Sequence, residues 1–326
     1  MRLYAYLDRF EHERFGVLVD GRLLTGAQLE KRGGLPPEIG THLGIGHHVK
    51  YVPGWQQLIA RCAKRAIRAG APLVDVETRR PAAAIDAFGL AEKVVCVGLN
   101  YADHAKEGGR DTPSRPLLFA KFGNAIVGDG EAVVRPEGTH ALDLEVELGV
   151  VIGQRARRVP VERAMSFVAG YVVADDISAR DWQGSKAALH EGETGDGQWL
   201  RAKGSDTFLP VGPVFVTPDE LDLKAGVALR SWRIPGSGPD AGTPVQMQDG
   251  NTADMLFPVP DLIAYISRQI TLEPGDLVIT GTPSGVGVFR DPPVFLEPGD
   301  RVRCEIEGIG TVENPIVDWT DDPRPA

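Results

Sequence analysis

Apolar Leu142, Leu144, Val146 and Leu148 alternate with Asp143, Glu145 and Glu147. This is the period-two pattern of a strand that carries its acids on one face. Val150, Val151 and Ile152 continue it as an unbroken apolar run, which suggests burial on both faces. A rise of about 3.3 Å per residue puts Glu145 and Glu147 roughly 6.6 Å apart. At an effective dielectric of about 20, two negative charges at that spacing repel by roughly 2.5 kcal/mol, so something positive should lie between them. The acids could instead form the solvated face of an amphipathic strand. Against that, buried carboxylates need a partner cation or a metal, and the nearest basic residues, Arg155, Arg157 and Arg158, follow Gly153, where the strand should end. An oxygen-ligated divalent ion is the better expectation.

The same reading extends along the chain. Residues 2–7 and 15–19 read as strands, with a turn at Asp20-Gly21 before 22–24. Pro36-Pro37 and the stretch from Gly44 to His48 look like loops, with His47 and His48 as solvent-exposed loop histidines. Residues 55–69 predict a helix with Trp55, Leu58, Ile59, Cys62, Ala66 and Ile67 on one face and Gly70 as its stop. Arg79-Arg80-Pro81 and the alanines after it suggest a connection, so we place a boundary near residue 88, giving a small N-terminal domain over 1–88 and a larger one over 89–326. In the second part, 93–98 predict a buried strand leading to a short helical turn. A short helix over 164–169 precedes a strand over 170–174. Residues 184–200 read as a polar, glycine-rich loop, 223–232 as a strand and 245–248 as its return. A helix over 260–269 and strands over 277–280, 301–306 and 311–317 complete the prediction.

Composition narrows the class. With 42% hydrophobic and 25% charged residues, the chain of 326 residues reads as an ordinary soluble protein, long enough for one large domain and a smaller one. A formal net charge of −10 disfavours nucleic acid or an anionic membrane as a partner. Cys62, Cys96 and Cys304 are far apart, odd in number and set among apolar neighbours, so buried free thiols are expected rather than a disulfide framework or a zinc site. No long apolar segment follows Met1, and the expected location is cytoplasmic.

Several segments carry candidate chemistry. On the turn after the 93–98 strand, His104 and Glu107 are three residues apart and face the same way. A carboxylate beside an imidazole orients the ring and makes it a general base; the pair could equally be an ordinary surface contact. Gly108-Gly109 and Thr112-Pro113-Ser114 make the following stretch flexible enough to close over a site. Asp175-Asp176, at a strand end, can supply an oxygen ligand or cap a helix. Lys203 could stabilise developing negative charge or be a plain surface lysine. The loop from Gly281 to Gly287 lacks both the dinucleotide-binding spacing and the P-loop Gly-Lys pair, yet a small anionic group could rest on its backbone N–H groups and Thr282.

The order of these segments is specific. Gly-x-Asn-Tyr-x-x-His-x-x-Glu, Glu-x-Glu-Leu-Gly-Val-Val-Ile-Gly, Asp-x-Ser-Ala-Arg-Asp-x-Gln, a Lys before Asp-Thr-Phe, and Gly-Thr-Pro-x-Gly-Val-Gly together resemble the fumarylacetoacetate hydrolase family over roughly residues 93–317. The resemblance implies mixed β-structure rolled into a flattened barrel with short peripheral helices, preceded by a small α+β N-terminal domain. It implies Mg²⁺ or Mn²⁺, with Ca²⁺ as a possible substitute, held by Glu145, Glu147 and Asp176. His104 and Glu107 would be the water-activating pair, Lys203 the oxyanion-stabilising lysine, and Arg180, Gln183 and Thr282 would line the substrate pocket. A homodimer is also implied.

One departure is the Pro235–Gly242 excursion, longer than the family's usual short turn before Gln248-Asp249-Gly250-Asn251-Thr252. The expected activity is metal-dependent hydrolysis of a C–C bond in a 2,4-dioxo acid through an enolate. Decarboxylation, isomerisation or hydration of a related 2-oxo acid by the same enolate is the alternative, and a metal-binding scaffold without turnover is a further one. A nicotinamide-dependent oxidoreductase built on the Gly281–Gly287 loop is disfavoured by its missing fingerprint.

Overall fold

The computed structural model describes residues 1–85, 92–195 and 197–324. Two sheets organise it. The larger has ten strands. It runs from Arg22–Leu24, Glu13–Val19 and Arg2–Leu7 through Val214–Val216, Val168–Asp175, Val146–Ile152 and Leu277–Ile279 to Val94–Gly98 and Leu117–Lys121, with Arg80–Pro81 beside Arg2–Leu7. The pairing of Leu277–Ile279 with Val94–Gly98 is parallel, while the central strand Val146–Ile152 is antiparallel to both neighbours. The smaller sheet places Val245–Asn251, Ala228–Ile234, Arg301–Ile306, Gly310–Asp318 and Val133–Arg135 side by side. This is the mixed β-structure with short helices that the resemblance implied. Among the described residues no helix is long and apolar enough to cross a membrane.

The apolar run in the central strand is explained by burial on both sides, every residue from Val146 to Ile152 being buried. Val146, Leu148, Val150 and Ile152 pack in a cluster with Leu229, Cys304, Ile306 and Val312 of the smaller sheet. Val151 joins a second cluster on the opposite face with Trp55, Ile59 and Cys62 of the helix Trp55–Arg68. Between them, Gly149 has no room for a side chain, because a Cβ there would stand 2.6 Å from Val172 Cγ2. The N-terminal strands belong to this same sheet, with Leu3 registered on Phe215 and Tyr171 on Val216. The boundary expected near residue 88 lies outside the described residues. All three cysteines are buried and unpaired.

Several local expectations are corrected. Residues Gly44–Tyr51 are helical, and His48 is fully buried rather than exposed in a loop. Its Nδ1 meets Gly44 O at 2.8 Å and its Nε2 meets Ile39 O at 2.9 Å, so the imidazole ties together backbone that the sequence left unstructured. The strand expected from Leu223 begins only at Ala228. Before it, Asp222 Oδ1 accepts from the amides of Lys224 and Ala225 and Gly226 takes φ +83°, which holds a turn instead. The 184–200 stretch is not loop throughout, since a helix starts at Trp199 and runs to Gly204. That helix carries Lys203.

Candidate active site

Antiparallel pairing builds the acidic cluster. Val146 registers on Asp175, so the start of one strand meets the end of the next, and Asp176 N donates to Glu145 O at 2.9 Å. Glu145, Glu147 and Asp176 each offer a carboxylate oxygen, all within 4.8 Å of one another. None is solvated, the three being 5%, 1% and 0% exposed. Asp143 leaves this face because the alternating stretch is not one continuous strand. Leu142–Asp143 pairs with Ser178–Ala179, and the ladder resumes only at Val146. Asp143 instead accepts from Arg180 Nε at 2.9 Å and from the amides of Gly287 and Val288 at 2.7 and 3.0 Å.

Cations distant in sequence surround the cluster. Lys203 Nζ donates to Glu145 Oε2 at 2.7 Å and to Asp176 Oδ2 at 2.9 Å. Arg180 Nη2 stands 2.6 Å from Glu145 Oε1, and Lys121 Nζ 2.8 Å from Asp176 Oδ1. These last two contacts are ion pairs by distance only, since neither Arg180 Nη2 nor Asp176 Oδ1 has hydrogen-bonding geometry to any partner. Burial alone would raise the Glu145 carboxyl, but Lys203 and Arg180 outweigh it and hold the group well below the ordinary carboxylate range. Glu147 differs. It accepts from Gly281 N at 2.7 Å but forms no ion pair among the described residues, and burial, then the neighbouring Asp176 and Glu145, push its carboxyl well up. A Glu147 short of positive charge, its carboxylate converging with those of Glu145 and Asp176, is the environment that a small divalent ion would satisfy. An oxygen-only donor set suits Mg²⁺, Mn²⁺ or Ca²⁺, so the residues present fit such an ion.

The remaining predicted residues converge on the same pocket. Its lining includes His104, Glu145, Glu147, Arg180, Gln183, Lys203 and Thr282, with Arg110, Phe119, Trp199 and Phe289 around them. On the helix Ala102–Glu107, His104 Nδ1 lies 2.7 Å from Glu107 Oε1, which leaves Nε2 as the ring nitrogen without this partner. Glu107 Oε2 accepts from Gly285 N at 2.9 Å, and Asp103 Oδ2 accepts from Ser284 Oγ at 2.7 Å. Gln183 Oε1 accepts from Arg180 Nη1 at 3.1 Å. Thr282 Oγ1 donates to Val146 O at 2.9 Å and accepts from Gln248 Nε2 at 2.7 Å.

The glycine-rich loop behaves differently from the anion cradle expected of it. The amides of Gly281, Gly285 and Gly287 are already taken by Glu147, Glu107 and Asp143. Its anions are this chain's own, and it serves to orient the acids.

Sequence reasoning missed Lys121 and Gln248. Lys121 is 2% exposed; it donates to Ile177 O at 3.1 Å and Phe208 O at 2.7 Å, and also to Lys203 O. The only signal for it was a lone lysine inside the apolar stretch from Leu117 to Phe122. Gln248 uses both ends of its amide, accepting from Val146 N at 2.9 Å and Ser231 Oγ at 2.8 Å while donating to Thr282 and Pro283 O.

The family model described as fumarylacetoacetate (FAA) hydrolase C-terminal matches residues 93–317. The mitochondrial oxaloacetate tautomerase FAHD2A of Homo sapiens is 38% identical over 292 residues, covering 86% of this chain and 88% of that protein. Among solved structures, 5-carboxymethyl-2-hydroxymuconate delta-isomerase from Mycobacterium smegmatis superposes with a TM-score of 0.68 at 31% identity, covering 98% of this chain and 100% of that one. Fumarylpyruvate hydrolase from Pseudomonas aeruginosa, in complex with Mn²⁺ and pyruvate, gives a TM-score of 0.59 at 29% identity, covering 70% and 90%.

Proposed function

The chain belongs to the fumarylacetoacetate hydrolase family, and from that premise we propose that it is a divalent-metal-dependent tautomerase of a small 2-oxo dioic acid, with oxaloacetate the first substrate to test. The observation that carries the reading is the His104–Glu107 pair, 2.7 Å apart, on the wall of a pocket that also presents Glu145, Glu147 and Lys203. Two similar proteins support moving a proton over breaking a C–C bond: the tautomerase relative and the isomerase neighbour, which between them match most of the chain.

Glu145, Glu147 and Asp176 would hold Mg²⁺ or Mn²⁺. That ion would supply Lewis-acid polarisation of the substrate's 2-oxo group. Glu107 fixes the His104 ring through Nδ1, so Nε2 can take the proton from C3 and deliver it to the oxygen at C2, or carry it from that oxygen to C3 in the enol-to-keto direction. As that proton leaves, electron density moves from the C–H bond to the oxygen at C2, and Lys203 Nζ donates a hydrogen bond to it. Lys203 stays charged as it does so. Burial disfavours the ammonium, but Asp176 and Glu145 outweigh burial and raise its pKa. Arg110 lines the pocket and would face the substrate's carboxylates, Arg180 beside it being engaged by Asp143, Gln183 and Glu145, and Phe119, Trp199 and Phe289 limit the water around the substrate.

C–C hydrolysis of an acylpyruvate is a second reading, supported by the fumarylpyruvate hydrolase neighbour and by the fact that the same dyad could activate water. Exposed Phe122 and Leu200, which both flank Gly204, support the expected homodimer. The deciding experiment follows decay of enol-oxaloacetate absorbance with Mg²⁺, alongside product analysis on a panel of acylpyruvates. Tautomerisation is expected, and His104→Ala should slow it on the order of 10²-fold or more while the melting temperature stays close to the parent's. Full activity in His104→Ala removes the assigned base, and acylpyruvate cleavage without tautomerisation replaces this reading with the second.

A further inference from the structure

The segment between Gln183 and Trp199 carries a second group of metal-ligating side chains, separate from the carboxylate cluster. His190 stacks on His140 with ring centroids 4.0 Å apart and planes inclined by 20°. Glu193 Oε2 lies 3.8 Å from His140 Nε2 and also accepts from His190 N at 2.8 Å. One ligand atom from each of His140, His190 and Glu193 falls within 4.8 Å of the other two.

Behind them stands a buried support. Asp181 is 6% exposed, its Oδ2 is 3.5 Å from His140 Nδ1, and its Oδ1 accepts from Thr139 Oγ1 at 2.7 Å. A carboxylate behind an imidazole is how metal-binding histidines are usually fixed in ring orientation and tautomer. It leaves the far nitrogen, here Nε2, toward Glu193. That nitrogen also meets Ala188 O at 2.9 Å, a contact that a metal ion would replace.

We propose that His140, His190 and Glu193 form a second cation site, selective for an imidazole-preferring transition metal such as Zn²⁺. The chemistry separates the two sites. Two imidazoles and one carboxylate favour Zn²⁺ over Mg²⁺, whereas three carboxylates suit the hard cations. In the stack the in-plane lone pairs of the two rings run nearly parallel, so the exposed His190 ring would turn out of it to share the ion.

The site's position gives it a consequence. The 184–198 segment joins the helix holding Arg180 and Gln183 to the helix holding Lys203, and all three residues line the pocket. His140 precedes Ala141, whose carbonyl accepts from Arg180 N at 2.9 Å. A metal at this point clamps the segment to the backbone that positions Arg180. The proposal stands whichever reaction the pocket performs.

The test is equilibrium dialysis of the purified full chain against Zn²⁺ in excess Mg²⁺. The wild type should retain one equivalent of Zn²⁺, and His190→Ala, a change at an exposed position, should lose it. Asp181→Asn should weaken binding by roughly 10–100-fold. Zn²⁺ should also slow tryptic cleavage after the exposed Lys186 in the wild type and leave that cleavage unchanged in His190→Ala. Equal retention by His190→Ala, or Zn²⁺ that Mg²⁺ displaces from the wild type, overturns the site. Cleavage after Lys186 that ignores Zn²⁺ in the wild type overturns the clamp.

Discussion

The acidic floor of the pocket and the helical wall that carries His104 are held by different means. Every floor carboxylate is buried, and Glu145 and Asp176 share the Lys203 ammonium, with Arg180 and Lys121 beyond it. The wall is a helix of six residues, Ala102–Glu107, followed by Gly108 and by Gly109 at φ +63°. Polar contacts from Asp103 to Ser284 and from Glu107 to Gly285 join it to the glycine-rich loop. A floor built from buried charges is rigid because removing any partner strands another. The wall is anchored at its start by buried Tyr101 and Ala105, but its polar ties to the loop are few and half-exposed, which leaves its C-terminal end freer to shift. Defects in the floor should therefore appear first as lost stability, and defects in the wall as lost rate.

The strongest challenge to this division is Lys203→Met. It keeps the side-chain stem but strips Glu145 and Asp176 of their shared cation, and breaking a buried pair costs roughly 3–5 kcal/mol. Urea denaturation should show a loss of that size, partly restored by Mg²⁺; an unchanged midpoint would mean the floor is not locked by charge. A smaller effect is expected from Asp103→Ala, which removes the wall's contacts to Ser284. Activity should fall by about tenfold, in keeping with hydrogen bonds to a charged group, at an almost constant melting temperature. A large drop in melting temperature would make the wall as structural as the floor.

The subtlest test uses Asp175, whose Oδ1 accepts from Glu145 N at 2.8 Å. Burial first, then Asp176, raises its carboxyl from 3.8 to about 7. Between those values the folded chain keeps a proton that the unfolded chain has released. The native state binds more protons there, so this group's contribution makes stability fall as pH rises through the window, by up to about 1.4 kcal/mol per pH unit. Asp175→Asn keeps the acceptor and removes the titration. Denaturation across the window should show a shallower decline in the variant, and an identical slope would place the proton elsewhere.

What the sequence disclosed follows from which interactions are local. Alternation from Leu142 to Leu148 exposed the acids, and three-residue spacing exposed the His104–Glu107 contact, because periodicity within one element needs no knowledge of the rest. The resemblance brought Arg180 and Lys203 to the pocket, but the pairing of these cations with the acids, and Lys121 altogether, were illegible for the opposite reason. Lys121, Arg180 and Lys203 reach the acids from three separate elements, so the nearby arginines after Gly153 drew attention wrongly toward a site with no protein cation at all. The break at Leu144 was equally hidden, since it depends on Leu142–Asp143 choosing Ser178–Ala179 as its partner. In the Gly281–Gly287 loop the residue types marked free amides, but only the fold reveals that the chain's own carboxylates fill them.

The register of Val146 on Asp175 also determines where this protein tolerates engineering. The hairpin holding the acids turns back at its opposite end, where Gly153 N donates to Phe167 O at 2.7 Å and Gln154 and Arg155 are exposed. Five residues of strand, Leu148 to Ile152, or roughly 17 Å, separate that turn from the nearest of the acids. A fluorophore or an inserted reporter domain attached there would sit outside the reach of the pocket's chemistry while remaining covalently tied to its central strand.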